Sequence, residues 1–140
     1  MLLSIAIAGL LASGLALVGL AAGVRALAAA APPRVPLPPM TVIRPVRGLD
    51  PGLEDNARHA LRMRYPAGIE TLFVLDDTTD PALPVLQRAI AQERASARIV
   101  FAGRPPGSRT GKLHAMIRGL AAARERTELV CFSDSDTRPD

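Results

Sequence analysis

The chain has 140 residues, 49% of them apolar but only four aromatic (Tyr65, Phe73, Phe101, Phe132), and 17 basic side chains against 13 acidic ones give a net charge of +4. That length suits one small domain and excludes a multidomain enzyme within these residues. A single cysteine, Cys131, excludes a disulfide framework, and the absence of a basic run interleaved with aromatics argues against a nucleic-acid partner.

In chain order, residues 2–24 come first, a run of Leu, Ala, Ile, Val and Gly with two serines and no charge. As a helix this run is roughly 34 Å long, enough to cross a hydrocarbon core of about 30 Å with some tilt. A buried helix of a soluble domain would show a polar face, and this one has none. A cleaved leader would carry a charged start and a shorter apolar stretch of about 7–15 residues. Residues 1–25 are therefore expected to form one uncleaved transmembrane helix. Arg25, Arg34, Arg44 and Arg47 follow it and no basic side chain precedes it. The positive-inside bias then puts the rest of the chain in the cytoplasm, against the cell (inner) membrane. Five prolines between Pro32 and Pro39 make residues 26–39 a linker of polyproline character. The remaining 101 residues hold all 13 acids and 15 of the 17 basic side chains, so their net charge is only +2.

Residues 40–140 alternate strand and helix. MTVIRPV (40–46) reads as a short strand, and 51–64 as a helix with Asp50 at its cap and Pro51 in its first turn. IETLFVL (69–75) has the continuous apolar character of a strand buried on both faces. Residues 81–94 are helical by period, with Asp80 as the cap. Residues 98–102 form a third strand, ending in the loop GRPPGSRTG. Residues 112–124 form a third helix with Leu113, Met116, Ile117 and Leu120 on one face, and ELVCF (128–132) a fourth strand. This order implies βαβ units and a largely parallel sheet. Ligands of such sheets bind beyond the carboxyl ends of the strands.

Polar chemistry gathers at those ends. DDTTD (76–80) follows the second strand, SDSD (133–136) follows the fourth, and Gly111-Lys112 opens the third helix. Asp134 and Asp136, one residue apart after an apolar strand, can share a divalent cation; hard Mg²⁺ or Mn²⁺ takes carboxylate oxygens and leaves positions for phosphates. Lys112 is the only lysine among 17 basic residues, and a compact ammonium at a helix start suits an anion. GSRTGK is not a P-loop, because Pro106 stands where the first glycine belongs and Leu113 replaces the Mg²⁺-binding hydroxyl. Nor does DSDTR complete the D-x-D-x-T pattern of haloacid-dehalogenase phosphatases. His59 and His114 read as helix-surface residues, and Cys131 as a small buried hydrophobe.

Four stretches together resemble the nucleotide-sugar-binding half of a GT-A glycosyltransferase, and specifically the ceramide glucosyltransferases of family 21, relatives of the inverting family 2. TVIRPVRGLDPGL (41–53) is similar to that family's opening RP-x-(K/R)-G-x-D-P-x-L, and RYP (64–66) to the pair that follows its first helix. FVLDDTTDPA (73–82) resembles the strand whose terminal aspartate meets the nucleotide. GKLHAMIRGL (111–120), with FSDSD (132–136) and Pro139-Asp140, resembles the lysine helix and metal-binding motif. The family 2 helix has asparagine where Ile117 stands.

The resemblance implies an α/β GT-A fold, Rossmann-like, with residues 40–140 as its donor-binding half. It implies an inverting transfer of glucose from UDP-glucose to a lipid, ceramide, with a hopanoid acceptor and UDP-N-acetylglucosamine as the alternative. Arg44, Pro45, Asp76, Asp77, Lys112 and Asp134 would line the nucleotide-sugar site, Asp76 and Asp77 being alternatives for the nucleotide contact. Asp134 and Asp136 would hold Mg²⁺ or Mn²⁺. The family's catalytic base and its (Q/R)-x-x-R-W motif come after the metal motif, so residues 1–140 are expected to be the first part of a longer enzyme and inactive alone. A non-catalytic nucleotide-binding role is the second reading.

Overall fold

A computed structural model describes residues 13–25 and 36–138. The chain divides into two compact units, residues 1–35 and 36–140. In the first, residues 13–25 are helical and exposed. Among the described residues no helix is long and apolar enough to cross a membrane. The expected transmembrane run also takes in residues 2–12, which lie outside the described residues, as do linker positions 26–35 and the terminal Pro139-Asp140.

The second unit is an α/β layer structure. Its elements are β1 (Met40–Pro45), α1 (Leu53–Arg62), β2 (Ile69–Leu75), α2 (Ala82–Glu93), β3 (Ala97–Phe101), α3 (Gly111–Ala122) and β4 (Leu129–Phe132). The four strands form one sheet in the order β3-β2-β1-β4. Every pairing is parallel, with Ile43 opposite both Leu72 of β2 and Phe132 of β4. The expected α/β fold with its parallel sheet is what the chain adopts.

Successive side chains on β2 point to opposite faces and are buried on both. Phe73 and Leu75 join Val46, Leu53, Ala57, Leu61 and Leu86 under α1 and α2. Leu72 and Val74 join Ile43, Ala102 and Ala115 under α3. Arg58 and Arg62 of α1 both bind Glu93 of α2, their Nε atoms at 2.8 and 2.9 Å from its carboxylate, tying these helices together.

Several local expectations are corrected. Helix α1 begins at Leu53 rather than at Pro51, because its N-cap is Gly52, in the left-handed region at φ 78°, where a side chain would be strained. Asp50 does not cap it; its carboxylate accepts a hydrogen bond from Ser135 Oγ at 3.0 Å instead. Asp80 does accept from the Ala82 N–H at 2.9 Å, at the start of α2. His114 is buried, not on the surface, and its Nε2 lies 3.0 Å from the Ala102 carbonyl, which accepts its proton. The reason is that α3 meets the sheet through His114, Ala115 and Gly119, leaving Leu113, Ile117 and Leu120 exposed. Cys131 is exposed rather than buried, because β4 is an edge strand with only β1 beside it among the described residues. His59 is on the surface, as expected.

Candidate functional site

The strand order sets the position of the site. From β1 the chain moves outward to β2 and β3, then returns to place β4 on the other side of β1. The crevice beyond the carboxyl ends of β1 and β4 lies where the order reverses, the usual ligand position in an open parallel sheet. A cleft of about 530 Å³ occurs there. It is lined by Pro45 at the end of β1, Val46 and Arg47 after it, Asp50 and Pro51, Asp76 after β2, Gly111, Lys112 and Ala115 of α3, and Asp134 to Asp136 after β4.

Five of the sequence-derived residues therefore converge: Pro45, Asp76, Lys112, Asp134 and Asp136. Lys112 Nζ stands 2.6 Å from Asp134 Oδ1, an ion pair in which both side chains are more than half exposed. Thr110, extended at ψ 147°, precedes α3 and its hydroxyl accepts from the Leu113 N–H at 3.4 Å. The first-turn N–H groups at Gly111 and Lys112, both at the cleft wall, have no partner within the helix and favour an anion. Asp76 faces the cleft and pairs loosely with Arg47 at 3.7 Å.

Two expected residues are placed elsewhere. Asp77 is turned from the cleft toward Thr79, whose N–H and hydroxyl donate to its Oδ1 at 2.8 and 2.6 Å. These bonds, the hydroxyl's first, hold the Asp77 carboxyl below the usual carboxylate range. Arg44 is 1% exposed and is not part of the cleft wall. It lies beneath the turn that follows β4, where its Nη2 donates to the carbonyls of Asp134 at 2.6 Å and Thr137 at 2.7 Å. Burial pushes its guanidinium below the usual arginine range, and the charges of Asp136 and then Asp134 partly offset that.

Sequence reasoning missed Arg47, Asp50 and Ser135 as cleft residues, together with the supports of the turn. Arg138 Nε donates to Asn56 Oδ1 at 2.8 Å, joining the turn to α1. One signal was available: Arg44 falls between Val42 and Val46 on one face of a buried strand, so its charge needed an internal partner.

The donor set bears on whether a cation fits. Among the described residues no three His, Cys, Asp or Glu side chains come together as a metal cage. The cleft nonetheless carries four carboxylates, Asp50, Asp76, Asp134 and Asp136, against two cations, Arg47 and Lys112. An anionic ligand entering this excess of negative charge needs a cation between. Mg²⁺ is commonly bound by one or two carboxylates together with substrate phosphates, so Asp134 and Asp136 are donors of the type that would hold such a cation.

Comparison with known proteins agrees with the sequence resemblance. Two ceramide glucosyltransferases align with part of the chain. That of Gibberella zeae is 46% identical over 54 residues, covering 38% of this chain and 10% of that protein. That of Candida albicans is 37% identical over 54 residues, with the same coverage. The aligned stretch thus spans about a tenth of each relative. The model of glycosyl transferase family 21 matches residues 1–140. On that match over its whole length, the chain belongs to glycosyl transferase family 21.

Proposed function

We propose that this chain forms the donor-binding part of a membrane-anchored inverting glycosyltransferase that moves glucose from UDP-glucose to ceramide. The observation that carries the reading is the convergence of Asp134, Asp136, Asp76 and Lys112 at the reversal point of the sheet, in a chain of this family. The names of the two fungal relatives support the acceptor.

In this reading the UDP moiety lies over the ends of β1 and β2, with Asp76 on the nucleoside side. Asp134 and Asp136 hold Mg²⁺ or Mn²⁺, which supplies positive charge to the diphosphate as the anomeric C–O bond breaks. Lys112 adds a second positive charge and moves from Asp134 to a phosphate oxygen. The N–H groups at the start of α3 orient the same diphosphate. Asp77 closes its own loop through Thr79 and leaves the nucleotide contact to Asp76. Membrane attachment through residues 1–25 brings the cleft to a lipid alcohol on the cytoplasmic side.

The test is transfer in membranes carrying the full-length protein, with labelled UDP-glucose and ceramide in one arm and UDP-N-acetylglucosamine and a hopanoid polyol in the other. Glucosylceramide formation that stops on chelation of divalent cations is the expected result. Product in the hopanoid arm alone would replace the acceptor, and metal-independent transfer would remove the role given to Asp134 and Asp136.

A further inference from the structure

Arg44 is an unusual residue to find where it is. It sits on β1, the strand between β2 and β4, and its side chain shares the α1/α2 face with the buried Val42 and Val46. Fully burying a guanidinium is costly unless its donors are used. No carboxylate pairs with it among the described residues; its donors go to backbone carbonyls of the turn after β4. Asp134 and Thr137 accept at 2.6 and 2.7 Å, with Ser135 at 3.5 Å the outermost. Its Nη1 is buried without a partner among the described residues.

That turn carries Asp134 and Asp136, and it is held at two more points. Ser135 Oγ donates to Asp50, and Arg138 Nε to Asn56. All three anchors belong to one segment, running from β1 through RPVRGLDPGL to the first turn of α1. Without a donor beneath them, carbonyls of residues 134 and 137 would have to find water or rotate, and either change moves the side chains between them.

We propose that Arg44 is a positioning residue: it does not touch the donor, but clamps the 134–137 turn so that Asp134 and Asp136 face one cation together. The inference rests on the reading of the cleft as a Mn²⁺- or Mg²⁺-dependent UDP-sugar site. It reassigns Arg44 from the nucleotide contact that the sequence resemblance implied to a support under the metal motif. Groups that orient metal ligands typically change affinity by about 10–100-fold when removed.

The test uses the full chain in detergent and two ligands. Mn²⁺ binding in the presence of UDP is read from the electron paramagnetic resonance of free Mn²⁺, and binding of uridine, which carries no phosphate, from ligand-observed NMR. Arg44→Met is expected to weaken Mn²⁺ binding by about 10–100-fold while uridine binding stays unchanged, and Arg44→Lys should recover part of the loss. Arg138→Met, which removes a half-exposed anchor of the same turn, should weaken Mn²⁺ severalfold and serves if Arg44→Met does not fold. A folded Arg44→Met protein that binds Mn²⁺ as tightly as wild type overturns the proposal, as does an unchanged Mn²⁺ affinity in Arg138→Met. Equal losses of uridine and Mn²⁺ binding make Arg44 a donor contact and also overturn it. Wild-type protein that binds neither ligand overturns the underlying reading of the cleft, a result distinct from the other three.

Discussion

The ammonium of Lys112 stands 2.6 Å from a carboxylate oxygen of Asp134, joining the start of α3 to the turn after β4 across the mouth of the cleft. Both side chains are more than half exposed, so solvent screens the pair and it contributes at most about 1 kcal/mol to stability. In the proposed function its role is ligand binding. Lys112→Met is expected to leave the urea unfolding midpoint nearly unchanged while lowering Mn²⁺-supported UDP affinity about tenfold, the cost of one charge-assisted phosphate bond. Parallel urea and UDP titrations separate the two effects. A stability loss with unchanged UDP affinity would mean that Lys112 serves the fold alone.

The reach of Lys112 depends on how closely α3 lies on the sheet. At Gly119 a Cβ would stand 2.5 Å from Ile43 Cγ2 and 3.1 Å from Val74 Cγ2. Gly119→Ala must therefore push the helix off β1 and β2, and overpacking of this kind costs about 1–3 kcal/mol. Urea denaturation should show that loss, accompanied by weaker UDP binding as the start of α3 shifts. Wild-type stability in Gly119→Ala would contradict the close approach.

Glu93 offers a test of the α1–α2 contact that is independent of the cleft. Hydrogen bonds from Arg62 and then Arg58 lower its carboxyl from the ordinary 4.5 to about 2. A carboxylate held lower in the folded state stabilises the fold above pH 4.5, and that contribution fades as pH falls toward 2. Glu93→Gln should therefore melt below wild type at pH 7, and the two curves should converge between pH 4.5 and about 2. A gap that is constant with pH would show that the ion pairs contribute nothing through charge.

The sequence was most readable where burial is symmetric. Strand β2, covered on both faces, is expected at residues 69–75 and is observed as Ile69–Leu75. The acidic pairs after strands were legible only in part: Asp76, Asp134 and Asp136 line one cleft, whereas Asp77 turns to Thr79. The misreadings share a cause: tertiary proximity has no periodic signal. The stripe Leu113, Ile117 and Leu120 looks like a core face, yet close approach to the sheet selects Ala115 and Gly119 instead. Cys131 alternates like a buried strand residue but belongs to an edge. The link from Arg44 to the turn at residues 134–137 joins positions about ninety residues apart, and no local pattern encodes it.

The central claim is that Asp134 and Asp136 bind a nucleoside diphosphate through a divalent cation. It is tested most directly by calorimetric titration of UDP into the full chain with Mn²⁺, with a chelator, and with Mn²⁺ in the exposed-site variant Asp136→Asn. The expected result is UDP binding that requires Mn²⁺ and is at least about tenfold weaker in the variant, no less than the loss of a group that merely orients a metal ligand costs. Equal UDP affinity in all three titrations would contradict the claim.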